Sequence, residues 1–218
     1  MKLLLISDEE ELAFWDYYRP GRFKGYDLIL SAGDLKADYL SFIVTMANRR
    51  VLYVHGNHDK SYEQFPPEGC DCIDDDLVVV NGLRILGLGG SMLYSGQGYQ
   101  YSEREMEKRI RRLRRKIRKA GGVDVVVAHA PIAGLGDGED LCHRGFEAFK
   151  DLLDTYHPAL FVHGHVHMRY GNQAVRVQKY GDTTVVNACG HYDIELPDRP
   201  QIPQKTSLLT RLRRHFAQ

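Results

Sequence analysis

The chain has 218 residues, 43% of them hydrophobic and 27% charged, with 29 basic residues balanced by 29 acidic ones. That length suits one medium-sized domain with its own core, and a formal net charge of zero excludes a whole-molecule pull toward nucleic acid or anionic membranes, so an electrostatic partner must be met by a local patch. No stretch approaches the roughly 20 apolar residues of a membrane span, and Cys70, Cys72, Cys142 and Cys189 have the spacing of neither a paired zinc motif nor a disulfide framework.

Residues 2–7 form an apolar run that reads as a strand and stops at Asp8. The run is too short for a signal-peptide core and is followed by Glu9, Glu10 and Glu11, so a cytoplasmic, reducing location with thiol cysteines is expected. Residues 27–33 repeat the pattern and stop at Asp34. Residues 38–49 place Leu40, Ile43, Val44 and Ala47 at the spacing of a helix with one packed face, and 51–56 is again strand-like, stopping at Asn57-His58. Asn81-Gly82 between the apolar runs 77–80 and 83–88 is a strong hairpin signal, and the Gly- and Tyr-rich residues 94–101 read as a loop. The clearest helix spans 102–120, with Met106, Ile110, Leu113 and Ile117 on one stripe, Arg and Lys elsewhere, and Gly121-Gly122 as its stop.

Residues 123–128 stop at His129 and 159–164 at His165-x-His167. Between them, the loop 134–144 ends in Cys142-His143-Arg144, ahead of an amphipathic helix over 146–156. Residues 174–179, 183–188 and 191–196 read as antiparallel strands, with Gly181-Asp182 as a turn. Pro197, Pro200 and Pro203 then make a stiff spacer before a short basic amphipathic helix, 206–216. The expectation is one α/β domain over 1–196, with two mixed sheets packed face to face and helices outside, and an extension over 197–218.

Five apolar runs thus end in a carboxylate, an amide or an imidazole. In α/β sheets, reacting groups gather at the carboxyl ends of strands, so these donors are placed to meet. Their types suit a pair of divalent ions acting on a phosphate ester, where a water must be activated and negative charge at phosphorus neutralised.

Gly33-Asp34, Gly56-Asn57-His58-Asp59, His129 and Gly164-His165-Val166-His167, taken in this order, resemble the motifs of the calcineurin-like metallophosphoesterase superfamily. The resemblance implies a four-layer sandwich and two divalent ions, and a third carboxylate, Glu10, at the site would turn the preference toward Mn²⁺, with Fe, Zn or Mg as substitutes. It further implies that Asp34 bridges the ions, that Asp8 and His167 hold the first, and that Asn57, His129 and His165 hold the second. His58 is then the catalytic acid beside the phosphate, and the reaction is in-line attack by a hydroxide carried on the metal pair.

Two departures bear on this. The superfamily's first motif is usually Asp-x-His, whereas here Glu10 stands at the histidine position; ligation of the first ion by Glu10 is the expected reading, with an empty or weak first site as the other. The Asp-Arg-Gly ending typical of the protein phosphatases is missing after Asp34, which disfavours that substrate class. His143 and Arg144 are candidate substrate contacts at the rim. The expected activity is hydrolysis of a phosphomonoester or phosphodiester bond in a small phosphorylated molecule, a nucleotide among the options. The rivals are a nuclease that uses the basic helix to track a polynucleotide, with nucleic acid not favoured as the partner, and a noncatalytic scaffold that keeps only the fold.

Overall fold

The computed structural model describes residues 1–168 and 175–197. The first half builds one sheet. Strand β1 (Lys2–Ser7) pairs in parallel with β2 (Leu28–Ser31), helix α1 (Ala37–Ala47) crosses back, and β3 (Val51–Tyr53) and β4 (Asp71–Cys72) extend the sheet in parallel. The hairpin β5 (Asp76–Val80) and β6 (Leu83–Leu88) starts a second sheet. Its turn has positive φ at both Asn81 (50°) and Gly82 (85°), the left-handed pair that a two-residue hairpin with matching twist requires. A short parallel pair, β7 (Ser91–Met92) and β8 (Gln100–Tyr101), leads into α2 (Glu103–Ala120).

The second sheet continues with β9 (Val125–Ala128), then α3 (Ala148–Tyr156), β10 (Leu160–His163), β11 (Val177–Tyr180) and β12 (Thr183–Asn187). The chain finally returns to the first sheet as β13 (Gly190–Glu195), antiparallel to β1. The strand orders are β13-β1-β2-β3-β4 and β11-β12-β10-β9-β6-β5. One expectation needs correcting: 183–188 is not a purely antiparallel strand, because β12 pairs antiparallel with β11 on one side but parallel with β10 on the other.

Alternation along the strands assigns the layers. Leu3 and Leu5 of β1 meet Val125 and Val127 of β9 in a core between the sheets. Leu4 and Ile6 point the other way, against Tyr39, Leu40 and Ile43 of α1. Val126 and Ala128 turn toward Met106, Ile110 and Leu113 of α2 and Phe149 and Leu152 of α3. Both sheet faces are therefore apolar, which explains the unbroken Val, Ile and Leu runs in the sequence. The result is helix, sheet, sheet, helix, and no helix among the described residues is long and apolar enough to cross a membrane. The 206–216 helix expected from the sequence lies outside the described residues.

Candidate metal centre

Both sheets direct their parallel strands so that the loops after β1, β2, β3, β9 and β10 meet at one edge. Three residues there, Asp8 (φ 59°), Asp34 (φ 56°) and His165 (φ 68°), take left-handed backbone conformations that cost L-residues energy, a strain that clusters at functional sites. The kinks let the loops turn sharply and interlock: the Asp8 amide donates to the Gly33 carbonyl at 3.1 Å, and the His165 amide donates to both Asp8 carboxylate oxygens at 3.0 Å.

The best-assembled donors are Asp34, Asn57, His129 and His165. His129 is fully buried, and its Nδ1 donates to the Ala32 carbonyl at 2.7 Å. Its Nε2 faces the Asn57 Oδ1 at 3.0 Å and the Asp34 Oδ2 at 3.3 Å. The Asn57 oxygen is fixed in that direction because its amide nitrogen donates to the Tyr94 hydroxyl at 3.2 Å. Three acceptors thus converge on one point, an arrangement that repels itself unless a cation sits among them. With a proton as that cation, burial opposes the charge on His129, but Asp34 and Asp8 raise its pKa to about 10. Asp34, although burial pushes it up, is brought down to about 2 by His129 and by the His58 amide, which donates to its Oδ1 at 2.8 Å.

His165 completes the group. Its Nε2 contacts the Cys142 carbonyl at 2.5 Å, leaving Nδ1 as the acceptor, and burial together with neighbouring His129 lowers its pKa to about 3. Ligand atoms of Asp34, His129 and His165 lie within 4.8 Å of one another. Each imidazole therefore has one nitrogen tied to a backbone carbonyl, which leaves the other as an acceptor, the outer-shell arrangement of metal-binding histidines. The donors fit a divalent ion.

The other expected positions are placed differently. Asp8 is beside this group through His165, and burial raises its pKa. Glu10 pairs with Lys36 at 3.1 Å, and His167 pairs through Nδ1 with Glu9 at 3.3 Å, so Glu10 and His167 are not brought together. A cavity of about 420 Å³ opens here, walled by Asp8, Glu10, Asp34, Leu35, Lys36, His58, Asp59 and Ser61. His58 is exposed and faces it. His143 lies over His165, with ring centroids 5.4 Å apart, held by Asp140 at 2.8 Å. Arg144 is exposed and forms no part of the cavity wall.

Sequence reasoning gave no role to Asp59, Tyr94 or the two carbonyls. Asp59 Oδ2 accepts hydrogen bonds from the amides of Asp34 at 2.9 Å and Gly56 at 2.7 Å, clamping the β2 and β3 loops together. Its place in the Gly56–Asp59 run was the available signal. Tyr94 and the carbonyls of Ala32 and Cys142 carry none, since a carbonyl belongs to every residue.

A two-sheet sandwich with carboxylate, amide and imidazole donors at its strand ends is of the metallophosphoesterase type. The calcineurin-like phosphoesterase family matches residues 7–169, most of the chain, and the chain belongs to that family. Among solved structures it is similar to TT1561 of Thermus thermophilus, at 15% identity, covering 87% of this chain and 89% of that one, with a TM-score of 0.61. It is also similar to a dimetal phosphatase from Danio rerio at 13% identity, covering 87% of each chain, TM-score 0.53. A third likeness is to GAP50, described as the anchor in the inner membrane complex of Plasmodium, at 14% identity, covering 87% of this chain and 71% of that one, TM-score 0.52. No curated protein matches the sequence. Members of the family bind pairs of divalent ions, and four groups of potential metal donors are present among the described residues.

Proposed function

We propose that this chain hydrolyses a phosphomonoester or phosphodiester bond in a small phosphorylated molecule, with Asp34, Asn57, His129 and His165 holding one divalent ion, Asp34 shared with a second near Asp8 and His167, and Mn²⁺ preferred. The observation that carries this is the convergence of His129 Nε2, Asn57 Oδ1 and Asp34 Oδ2 at 3.0–3.3 Å in a buried site, where a proton on His129 stands in the place of the ion. When bound, the ions lower the pKa of water and neutralise charge at phosphorus.

The chain's own groups supply the rest. His58 faces the cavity beside Asp34, within reach of a bound phosphate, where its imidazole stabilises developing charge and protonates the departing oxygen. Its amide, bonded to Asp34, fixes the loop that carries it. Lys36, paired with Glu10, adds an ammonium group to the cavity wall. His143, held by Asp140 over His165, and the exposed Arg144 after it lie outside the cavity wall, and their proposed part is to meet the distal portion of the substrate.

The test is metal content combined with a hydrolysis screen over aryl phosphates, aryl phosphodiesters, cyclic nucleotides and oligonucleotides. His58→Ala should keep its metal and lose turnover by about 10²- to 10⁴-fold. Undiminished turnover, or a wild-type chain that takes up no divalent ion, would end the proposal. One observation favours the nuclease reading as a second choice: the exposed face of α2 presents Arg111, Arg112, Arg114, Arg115, Arg118 and Lys119. Steeply salt-dependent binding of an oligonucleotide, lost when the first four of those arginines become Gln, would move the assignment there.

A further inference from the structure

We propose that Glu9, His167 and Cys189 form a carboxylate, imidazole and thiolate site for one borderline-soft divalent cation such as Zn²⁺, at the rim of the Asp34 centre. It rests on the functional reading above only in sharing His167, whose neutral ring has one acceptor nitrogen and so serves this cation or the ion near Asp8, one at a time.

The three donors come from three separate places: Glu9 just past β1, His167 in the loop after β10, and Cys189 in the turn between β12 and β13. Their ligand atoms nevertheless lie within 4.8 Å of one another. A tetrahedral zinc site with a sulfur at ~2.3 Å and nitrogen and oxygen at ~2.0–2.1 Å needs donor separations of about 3.3–3.6 Å, which small side-chain rotations reach. The Glu9 to His167 distance is already 3.3 Å.

The scaffold beneath is fixed. Asn187, 2% exposed, accepts a hydrogen bond from the Cys189 amide at 2.9 Å and donates to the Val166 carbonyl at 2.7 Å, tying the cysteine turn to the histidine loop. Arg176 donates to the carbonyls of Asn187 at 3.1 Å and Cys189 at 2.9 Å. Cys189 is itself 3% exposed, so its sulfur is held within the protein and directed by this framework. The choice of carboxylate also follows from placement, because Glu10 is engaged with Lys36 and the carboxylate that reaches His167 is that of Glu9. A sulfur ligand shifts selectivity from Mg²⁺ and Mn²⁺ toward Zn²⁺ and Cd²⁺.

The test is a Cd²⁺ titration of the chelator-treated full-length protein, reading the ultraviolet sulfur-to-cadmium charge-transfer band. One equivalent should give the band in wild type and in the triple variant Cys70→Ser, Cys72→Ser, Cys142→Ser. Cys189→Ser should abolish it, and Glu9→Gln should weaken Cd²⁺ binding about tenfold or more. Mn²⁺ uptake at the Asp34 centre, followed by calorimetry, shows that Cys189→Ser has folded; if it has not, Glu9→Gln decides. A band that survives Cys189→Ser, or disappears in the triple variant because the Asp140, Cys142 and His143 group carries it, overturns the proposal. Turnover without any thiolate band sinks this site alone, whereas a band without turnover leaves it standing and removes only the hydrolytic reading.

Discussion

Gly56 and Gly164 set how closely the donor loops approach. A Cβ at Gly56 would overlap the Asp34 carboxylate, and one at Gly164 would overlap the Ser7 hydroxyl and the Asp8 carboxylate. Gly56→Ala is expected to weaken divalent-ion binding about tenfold or more while far-ultraviolet circular dichroism stays native, because the obstruction is confined to the site. Glu10→Ala should leave metal content unchanged by elemental analysis, since the Glu10 carboxylate is engaged by an exposed lysine. His163 is a contrasting case. It is buried, with Nδ1 on the Gly164 carbonyl and no hydrogen-bond partner for Nε2 among the described residues, and burial lowers its pKa to about 4. His163→Leu should shift stability by no more than about 1 kcal/mol in a urea titration, because losing one hydrogen bond is offset by removing an unsatisfied acceptor. The donor identities were legible at this scale because each ends an apolar run. The roles of Glu9 and Glu10 were not, since the left-handed Asp8 breaks the alternation that would have told which neighbour faces the site.

Helix α2 shows what the sequence reveals about an element and what it withholds. Gly121 closes the helix in a left-handed conformation, as the Gly121-Gly122 pair foretold, and Ser102 and Glu105 form a reciprocal capping box at its start. Ser102→Ala should cost about 1 kcal/mol of stability by chemical denaturation. The apolar stripe was equally plain, but Arg109 hid in the basic run: it is 5% exposed, bonds Asp75 at 2.8 Å and the Gly89 carbonyl at 2.7 Å, and approaches Asp74 at 3.4 Å. Its partners lie 20 to 35 residues away, so no local pattern could single it out. Arg109→Met removes three polar contacts but leaves Asp74 held by the His55 imidazole and amide and by the Gly89 amide, and should cost about 1–3 kcal/mol, measured the same way. Strand β12 is similar: its β-character was readable, while its parallel neighbour β10 was settled by packing at long range.

At the scale of the molecule, the two-sheet architecture followed from continuous apolar strands and one hairpin, whereas the return of β13 to the first sheet is a long-range pairing that composition does not encode. We propose that the domain closes with β13 and Leu196, which packs into the inter-sheet core, and that 197–218 is an extension. A chain ending at Pro197 should keep its cooperative thermal unfolding, whereas one ending at Ala188 should lose it, because β1 would then be stripped of an entire partner strand. The site itself straddles the sandwich: Asp34 and Asn57 follow strands of one sheet, His129 and His165 strands of the other. An ion gripped by all four would act as a rivet through both leaves. Chelator should therefore quicken amide hydrogen exchange far from the cavity, in β2 and β10 alike.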